Sequence, residues 1–326
     1  MKKDTQTKAI VYTKYGPPDV LQLKEIEKPT PKDNQVLVKV HAASVNPLDW
    51  HYMRGTPYFV RMLAGLRKPK VTRLGVDLAG QVEAVGRNIE QFKPGDEVFG
   101  ACRGAFAEYG CASESRLVLK PANVTFEQAA AVPVAALTAL QGLRDKGRIQ
   151  PGQKILINGA SGGVGTFAVQ IAKSFGAEVT GVCSTRNLDM VRSIGADQVI
   201  DYTQEDFTKN GQRYDLIFDA VANHSVSDYR RALSPQGICV IVGFSTLFHM
   251  FQVMLVGSLV SRIGSKKIGG MGMAKPNKKD LVFIKELLEA GKVVPVIDRR
   301  YTLSEVPEAI RYLEEGHARG KVVITV

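Results

Sequence analysis

Cysteine, long apolar runs and clustered charge are all scarce in this sequence of 326 residues. The four cysteines are too few and too scattered for a disulfide framework, so we expect small buried thiols in a reducing compartment. No apolar stretch near the N-terminus is long enough for a secretory signal, which favours a cytoplasmic protein. The longest apolar stretch, residues 247–260, includes His249, Gln252 and Gly257 and is too short to span a bilayer. We therefore expect a buried or interface helix there and no membrane span.

The charge of the chain is unbalanced but dispersed. There are 43 Lys and Arg against 32 Asp and Glu, which gives a net charge of +11. Such an excess favours an anionic cofactor, a nucleic acid or a membrane surface, and does not choose among them. Because the chain has no run of five or more basic residues, we expect no nucleic acid partner. The length and the hydrophobic content of 44% suit a globular protein with two domains.

The most informative stretch is a glycine-rich loop between a predicted strand and a predicted helix. Residues 155–157 form an aliphatic run typical of a buried strand, and the apolar residues of 164–175 recur with a helical period. The intervening GASGGVG, residues 159–165, permits positive φ and close approach of a ligand to the backbone. N–H groups at the start of such a helix bind a pyrophosphate. The candidate cofactor-binding residues here are Gly159, Ala160, Ser161, Gly162, Gly163 and Val164.

The residues after the next predicted strand, 178–183, indicate which dinucleotide binds. NAD-preferring sites carry an acidic residue about 20 positions beyond the glycines. This chain has Ser184, Thr185 and Arg186 there, with no carboxylate before Asp189. Hydroxyl groups and a guanidinium suit a ribose 2′-phosphate, because arginine forms charge-assisted hydrogen bonds with it. The sequence thus predicts NADPH as the cofactor.

The order of the predicted elements divides the chain into two kinds of structure. Short strands and turns up to about residue 120 predict a small antiparallel barrel, with no helix longer than a turn near Pro47. Thr125 and Gln128 form a capping-box pattern that opens a helical region extending to about Lys146. Beyond it strands alternate with helices, which predicts a parallel sheet with ligands at the carboxyl ends of its strands.

Four segments resemble the medium-chain dehydrogenase/reductase superfamily, and within it the zinc-independent quinone oxidoreductase branch. They are residues 75–100, the glycine loop, residues 193–202 (SIGADQVIDY) and residues 316–326 (GHARGKVVITV). The resemblance implies an α/β fold that combines a GroES-like β-barrel domain with a Rossmann domain on a doubly wound parallel sheet. The implied bounds are 1–133 for the GroES-like catalytic domain, 134–275 for the Rossmann NADPH-binding domain, and 276–326 for a C-terminal segment completing the catalytic domain.

The sequence departs from the zinc-dependent members of this superfamily. Where those enzymes carry their first catalytic cysteine, this chain has AASVNPLDW, residues 42–50, and where they carry the adjoining His and Glu it has LGVD, residues 74–77. The four-cysteine structural lobe is also missing, since Cys102 and Cys111 stand alone in their region. Without thiolate or imidazole ligands at suitable spacing, we expect no metal site.

The resemblance also implies roles for individual residues. Asn46 would lie near the nicotinamide ribose, and Asp49 would cap or orient the turn that follows. Independently of the resemblance, Tyr52 and Tyr58, on the loop after Asn46, are candidates to donate a proton or polarise the substrate, although packed aromatic rings with satisfied hydroxyls explain them equally well. The candidate catalytic residues are Asn46, Tyr52 and Tyr58. The other residues that match the family's cofactor contacts are Thr138, Tyr202, Gly243, Phe244, Ser245, Arg319 and Lys321.

Together these features predict an NADPH-dependent, zinc-free oxidoreductase that transfers hydride to small-molecule quinones or α,β-unsaturated carbonyls. An enoyl-thioester reductase, acting on enoyl-CoA or enoyl-ACP, is an alternative with the same fold and hydride chemistry. In that case the cationic side chains near the loop would contact the CoA arm: Arg61, Arg67, Lys68 and Lys70. A second alternative is a low-turnover NADPH-binding protein whose basic surface binds RNA or an acidic membrane. Salt-sensitive RNA binding without turnover would favour it.

Oligomeric state is predicted from residues 267–273, KIGGMGM. They have the pattern of an edge strand of the parallel sheet, whose unpaired backbone groups need a partner. In the resembling family, such strands pair across a twofold axis to form a dimer. We expect a homodimer, and we expect a charge at Ile268 to weaken it.

Overall fold

The computed structural model describes residues 5–243, 253–257 and 264–326, and the chain divides into two compact units. Unit 1 comprises Met1–Val134, Pro276–Ala290 and Pro295–Val326. Unit 2 comprises Ala135–Lys275 and Gly291–Val294. The short return to unit 2 has a local cause, because the Gln170 side chain donates to the Val294 carbonyl oxygen at 3.0 Å and accepts from the Val294 N–H at 2.8 Å.

The described elements, in chain order, are as follows. The strands are β1 (Gln6–Val11), β2 (Gln22–Glu27), β3 (Gln35–Val45), β4 (Asp77–Val85), β5 (Glu97–Ala101), β6 (Tyr109–Ser113), β7 (Leu117–Leu119), β8 (Lys154–Asn158), β9 (Glu178–Cys183), β10 (Gln198–Asp201), β11 (Tyr214–Asp219), β12 (Leu233–Ile241), β13 (Lys267–Gly270), β14 (Ile297–Thr302) and β15 (Lys321–Thr325). The α-helices are α1 (Pro47–Arg54), α2 (Phe59–Ala64), α3 (Phe126–Ala130), α4 (Pro133–Gln141), α5 (Gly163–Ser174), α6 (Leu188–Ser193), α7 (Val226–Ala232), α8 (Lys278–Glu289) and α9 (Val306–Glu314).

Unit 1 is organised around the long strand β3. Its main sheet has the order β14-β15-β3-β4-β5-β7, with β6 also paired to β3, while β1 and β2 form a separate antiparallel ribbon. Strand β15 runs antiparallel to β3 with Val322 opposite Val45, and β4 runs antiparallel to β3 with Asp77 opposite Ser44. The C-terminal strand of the chain therefore lies directly beside the end of β3.

Unit 2 contains a six-stranded parallel sheet in the order β10-β9-β8-β11-β12-β13. The first strand of the unit, β8, is central, and the chain winds outward from it in both directions, which is the doubly wound arrangement. Aliphatic strand residues such as Leu156, Val182 and Ile217 form its core. The predicted α/β fold with a parallel sheet is confirmed, β8 includes the predicted run 155–157, and β9 has the predicted bounds of 178–183.

The expectation that the β-rich part needs no helix beyond a turn near Pro47 was wrong. Pro47 opens α1, where its missing N–H costs nothing, and the Asp49 carboxylate accepts the Asn46 N–H at 2.8 Å. Gly55 ends the helix with φ +61°, in the left-handed region that glycine adopts easily. These signals make an eight-residue helix rather than a turn, and α2 follows it.

The structure around β13 shows that a charge at Ile268 is not a suitable test of the predicted dimer. Among the described strands, β13 lies at one end of the parallel sheet. Ile268, however, is buried in the core of unit 2, so a charge there would destabilise the fold rather than probe an interface. Most of the predicted helix 247–260 falls outside the described residues, and within it only 253–257 are described, as one π-helical turn. In the parts of the chain that are described, no helix has the length and apolar character needed to cross a membrane.

Candidate functional site

The glycine loop of unit 2 is a turn that only glycine can make at two positions. It leaves β8 at Asn158 and enters α5 at Gly163. Gly159 has φ +80°, and a Cβ on it would lie 2.8 Å from the Val221 side chain. A Cβ on Gly165 would lie 2.0 Å from the Gly159 carbonyl oxygen, a contact that no side chain tolerates. A Cβ on Gly162, by contrast, would meet only that oxygen, at 3.4 Å, among the atoms of the described residues, so the loop is open to them on this side.

Hydrogen bonds separate the loop amides that hold the turn from those at the open start of the helix. The N–H groups of Gly159 and Ala160 both donate to the Val182 carbonyl oxygen, at 3.2 and 3.0 Å. Gly162 donates to Gly159 within the loop. The amides of Gly163 and Val164 belong to the first turn of the twelve-residue α5, where N–H groups have no intrahelical partner and the helix dipole is positive. This end of α5 can accept an anionic pyrophosphate.

A buried asparagine joins the glycine loop to the end of β9. The Asn187 Nδ2 donates to Ser161 Oγ and to Ser184 Oγ, each at 3.1 Å. Its Oδ1 is buried and has no hydrogen-bond partner in the described part of the chain. An unpaired buried acceptor carries a desolvation penalty that a ligand hydroxyl would remove. Asn187 was not among the predicted site residues, although its polar side chain directly follows Arg186 in the sequence.

The residues predicted to contact a 2′-phosphate lie together at the carboxyl ends of β9 and β10. Thr185, Arg186 and Tyr202 are exposed, and Ser184 is half-buried. The sequence did not reveal that Asp201, at the end of β10, lies beside them. Thr185 Oγ1 donates to its carboxylate, and this bond, with further ones from Thr203, lowers the pKa of Asp201. The carboxyl ends of β9 and β10 therefore carry both the Arg186 guanidinium and the Asp201 carboxylate.

At the same edge of the sheet, the Asp219 carboxylate fixes the turns that follow β8 and β11. Asp219, at the end of β11, is fully buried and accepts from Asn158 Nδ2 at 3.0 Å and from the Tyr229 hydroxyl at 2.8 Å. The N–H groups of Val221 and Ala222 also donate to it. These bonds fix Asn158, the residue immediately before the glycine loop.

The remaining unit 2 candidates are distributed along other elements. Thr138 is half-buried on α4. Gly243 follows β12, and a Cβ on it would lie 2.8 Å from the Ala220 carbonyl oxygen, so this position also needs glycine. Phe244 and Ser245 lie outside the described residues.

In unit 1, three strand ends bring Asn46, Asp77 and Lys321 into one buried polar cluster. Asp77 Oδ2 accepts from Ser44 Oγ at 2.8 Å and from Asn46 Nδ2 at 2.9 Å. Lys321 Nζ donates to Asn46 Oδ1 at 2.7 Å and lies 3.6 Å from Asp77 Oδ2. Asn46, Asp77 and Lys321 are 2%, 0% and 3% exposed. The amide of Asn46 is thus held at both ends by partners within unit 1.

Burial dominates the electrostatics of this cluster. It raises the pKa of Asp77, against the attraction of Lys321 and the hydrogen bonds from Asn46 and Ser44. It lowers the pKa of Lys321, against the attraction of Asp77 and Asp49. Burial also raises the pKa of Asp49 to about 7, although the N–H groups of Asn46 and Gly75 donate to its two oxygens. Within this cluster the positive charge of Lys321 compensates the negative charge of Asp77, and both groups are buried away from water.

The two candidate tyrosines have different surroundings. Tyr52 is half-buried and packs against the core of unit 1, whereas Tyr58 is 67% exposed, with the Arg61 guanidinium 5.4 Å from its ring centroid. Tyr12, which the sequence did not single out, is buried. Burial raises the pKa of its hydroxyl, and the nearby Tyr15, Asp49 and Tyr52 raise it further. Arg319 is exposed, and its N–H donates to Asp298 at 2.9 Å.

Comparisons with known families match both parts of the chain. The family described as alcohol dehydrogenase GroES-like domain matches residues 32–122, and the family described as zinc-binding dehydrogenase matches residues 194–324. The second description raises the question of a zinc site, which the residues of unit 1 answer.

The residues at the positions expected for zinc ligands do not fit a zinc ion. The lone pairs of the Asp77 carboxylate are already used by Ser44, Asn46 and the Val134 N–H. The Lys321 ammonium stands beside them, and a second cation there would be repelled. Zinc sites are built from thiolate, imidazole and carboxylate groups with free lone pairs, and within the described residues no group of three or more His, Cys, Asp or Glu has such an arrangement.

Individual relatives and solved structures are similar over nearly the whole chain. The mouse protein named NAD(P)H oxidoreductase RTN4IP1, mitochondrial, is 35% identical over 99% of this chain and 90% of its own length. The 2-methylene-furan-3-one reductase of Solanum lycopersicum is 35% identical over 98% of this chain and 79% of its own. The solved structure of a quinone oxidoreductase from Coxiella burnetii matches with a TM-score of 0.86 and 31% identity, covering 98% of this chain and 99% of that one.

Proposed function

Because the chain is an oxidoreductase of the quinone oxidoreductase-like branch of the medium-chain dehydrogenase/reductase superfamily, we propose that it transfers hydride from NADPH to a quinone or an α,β-unsaturated carbonyl without a metal. The observation that carries the proposal is the glycine loop, which leaves the first turn of α5 open, next to the unpaired buried Oδ1 of Asn187. An anion at the helix start and a hydroxyl near Asn187 are what a dinucleotide offers.

Specific residues of unit 2 would hold the cofactor. The amides of Gly163 and Val164 suit the pyrophosphate, and Asn187 Oδ1 suits a ribose hydroxyl. Bound nicotinamide supplies the hydride, and the protein orients the acceptor and stabilises the charge that develops on its oxygen. Hydride addition to a quinone or an enone gives a hydroquinone or an enolate, which hydrogen bonds stabilise without a Lewis acid.

The preference for NADPH over NADH rests on the end of β9. The exposed Arg186 and Tyr202 offer a guanidinium and a hydroxyl, which are suitable donors for a 2′-phosphate, whereas the Thr185 hydroxyl already donates to Asp201. Asp201 favours the opposite choice, because a carboxylate repels a phosphate and accepts from a ribose hydroxyl. Its oxygens, however, already accept from Thr185 and Thr203, so fewer of its lone pairs remain for a ribose hydroxyl, and Arg186 supplies the positive charge that a phosphate needs.

In unit 1 the three candidate catalytic residues comprise one buried amide and two tyrosine hydroxyls. Asn46 is held by Asp77 and Lys321, which fixes the orientation of its amide. Tyr52 and Tyr58 carry hydroxyls that can donate a proton to the reduced acceptor. Of these, Tyr52 has its ring supported by the core of unit 1, and we therefore expect the larger effect from Tyr52→Phe, with Tyr58→Phe as the matched variant.

The acceptor is tested by following NADPH oxidation with quinones, enones, enoyl-CoAs and aldehydes, each with and without a chelator. We expect turnover with quinones or enones, no effect of the chelator and no stoichiometric zinc by elemental analysis. Loss of a positioned general acid typically lowers the rate by about 10²-fold or more, and we expect Tyr52→Phe to show this. Turnover with enoyl-CoAs alone would instead favour the enoyl-thioester reductase, and one tightly bound zinc per chain would overturn the metal-free mechanism.

The position of β13 also supports a homodimer formed by strand pairing. Gly269 in this strand has space around it among the described residues, since an added Cβ would meet none of their atoms within 4 Å. Gly269→Lys should therefore fold as a monomer but place like charges near each other in a paired dimer, whereas Gly269→Ala should keep the dimer. Light scattering that finds a monomer for the unmodified protein would refute the proposal.

A further inference from the structure

Helix α2 and the loop after it present an apolar face to solvent. Phe59, Met62 and Leu63 follow the spacing i, i+3 and i+4, which normally marks the side of a helix that packs on a core, and Leu66 follows in the loop after the helix. Here Met62 and Leu63 are 71% and 73% exposed, and Phe59 and Leu66 are exposed as well. Within α2 the small Ala64 is the one fully buried residue, and Val60 and Arg61 are half-buried. Large contiguous apolar surface of this kind marks an interaction site.

This face rests on a well-fixed base. The Tyr15 hydroxyl donates to the Gly65 carbonyl oxygen, and the Lys70 N–H donates to the Ala64 carbonyl oxygen at 2.7 Å. The Arg61 guanidinium lies 4.6 Å from the centroid of the Tyr15 ring, and its Nε donates to Gly55. Because backbone and side-chain bonds tie the segment to unit 1, the exposure of its leucine and methionine side chains belongs to the fold.

The charge around the apolar face has one sign. No Asp or Glu occurs between Asp49 and Asp77, and both of those are buried. Arg67, Lys68 and Lys70 are exposed, and none has an ion-pair partner in the described part of the chain. The apolar face is thus bordered by three cations without neutralising carboxylates.

We propose that these residues, the apolar Phe59, Met62, Leu63 and Leu66 with the basic Arg67, Lys68 and Lys70, dock the protein on the surface of a lipid bilayer that contains anionic headgroups. Apolar side chains enter the boundary between headgroups and acyl chains, and ammonium and guanidinium groups contact lipid phosphates. The same division of apolar and basic residues is found in peripheral membrane segments.

The charge argues against a second copy of this chain as the occupant. A twofold interface would place the same patch on both sides, so three cations of one protomer would face three of the other. Anionic headgroups match the charge that a self-interface would oppose. The proposal does not depend on the proposed function, because docking requires neither cofactor nor acceptor.

Co-sedimentation of the protein with vesicles tests the proposal directly. We use phosphatidylcholine vesicles with roughly 30% phosphatidylglycerol, and pure phosphatidylcholine as the neutral control. Binding to the anionic vesicles that decreases at high salt is expected. The variant Arg67→Gln/Lys68→Gln/Lys70→Gln should bind on the order of 100-fold more weakly, at about fivefold per basic residue near a membrane. Met62→Ser/Leu63→Ser should also bind more weakly.

Matched controls separate this patch from general charge and from misfolding. Lys146→Gln/Lys279→Gln/Lys292→Gln removes the same charge from exposed lysines elsewhere, and Met273→Ser removes an equally exposed methionine. Both should bind vesicles within a fewfold of the unmodified protein, and all variants should keep the same thermal unfolding midpoint. No binding to anionic vesicles, equal losses in the control triple variant, or binding to neutral vesicles alone would overturn the proposal. A concentration-dependent dimer abolished by Met62→Ser/Leu63→Ser would overturn it in favour of self-association.

Discussion

The glycine loop of unit 2 and the polar cluster of unit 1 both place polar groups at strand ends, but they use them in opposite ways. The loop is made of backbone atoms from one continuous stretch and leaves the start of α5 open. The cluster is made of side chains from distant parts of the sequence, Asn46 and Lys321, whose groups satisfy one another and are closed to solvent. Polar residues near a strand end therefore form a ligand site only where their hydrogen-bonding capacity is left unused.

Substitutions in the two regions should have different effects. Changes in the closed cluster are expected to lower stability, and changes on the open side of the loop are expected to lower cofactor affinity.

The largest effect is expected for Lys321→Met. The substitution keeps much of the side-chain volume but leaves Asp77, which is fully buried, without its cation. Breaking a buried ion pair in this way typically costs about 3–5 kcal/mol. Chemical denaturation of the purified variant would measure the loss in the free energy of unfolding.

The matched control is the double variant Asp77→Asn/Lys321→Met, which removes both charges. We expect it to recover a large part of the lost stability, because no uncompensated charge remains buried. If Lys321→Met were as stable as the unmodified protein, or if the two substitutions were additive, the cluster would not be held by charge compensation.

Two glycines of the loop should respond differently to alanine. In Gly165→Ala the new Cβ would lie 2.0 Å from the Gly159 carbonyl oxygen, so the turn must move and we expect a loss of about 3 kcal/mol in stability. In Gly162→Ala the nearest contact is an ordinary 3.4 Å, and the fold should be nearly unaffected. The added methyl lies on the open side, where it should weaken cofactor binding. Equal unfolding midpoints for the two variants would refute this description of the loop.

Asp49 should make the stability of unit 1 depend on pH. Burial raises its pKa to about 7 in the folded protein, against 3.8 for an ordinary carboxyl group. The protonated form therefore favours folding, and its contribution is complete below pH 3.8 and lost as the pH rises to 7. Between these values the slope is up to about 1.4 kcal/mol per pH unit.

Denaturation of the unmodified protein and of Asp49→Asn across this pH range measures the contribution. The variant should have a flatter profile, and Asp189→Asn, at an exposed carboxylate, should follow the unmodified protein. A steeper fall for Asp49→Asn would mean that the bonds from Asn46 and Gly75 outweigh burial.

Local patterns in the sequence were sufficient for most of unit 2. The aliphatic run of β8, the glycines and the periodic residues of α5 are contiguous, so strand, loop and helix follow from neighbouring residues. The capping box of Thr125 and Gln128 was also predicted and is confirmed, with both reciprocal bonds formed. In each case the interactions that decide the structure lie within a few residues.

Contacts between distant strands were not predictable in the same way. Asp201 reaches Thr185 because β10 pairs with β9 in a register that sets Asp201 opposite Cys183. Lys321 reaches Asn46 only through the pairing of β15 with β3. Strand β14 was missed because its sequence IDRRYT lacks an apolar run and is held by parallel pairing with β15. Helix α1 was predicted only as a turn, because Pro47 and Asp49 mark its start and its length depends on Gly55, which ends it.

The most direct test of the central claim, that the loop and the end of β9 bind NADPH, is a titration of NADPH and NADH against the unmodified protein and Arg186→Ala. Asp201→Asn, which removes the nearby carboxylate, serves as the opposite control. For the unmodified protein we expect at least a tenfold preference for NADPH, equivalent to about 1.4 kcal/mol. Arg186→Ala should abolish this preference and leave NADH binding nearly constant. Asp201→Asn should increase the preference. Equal losses of both cofactors in Arg186→Ala, or a preference for NADH in the unmodified protein, would contradict it.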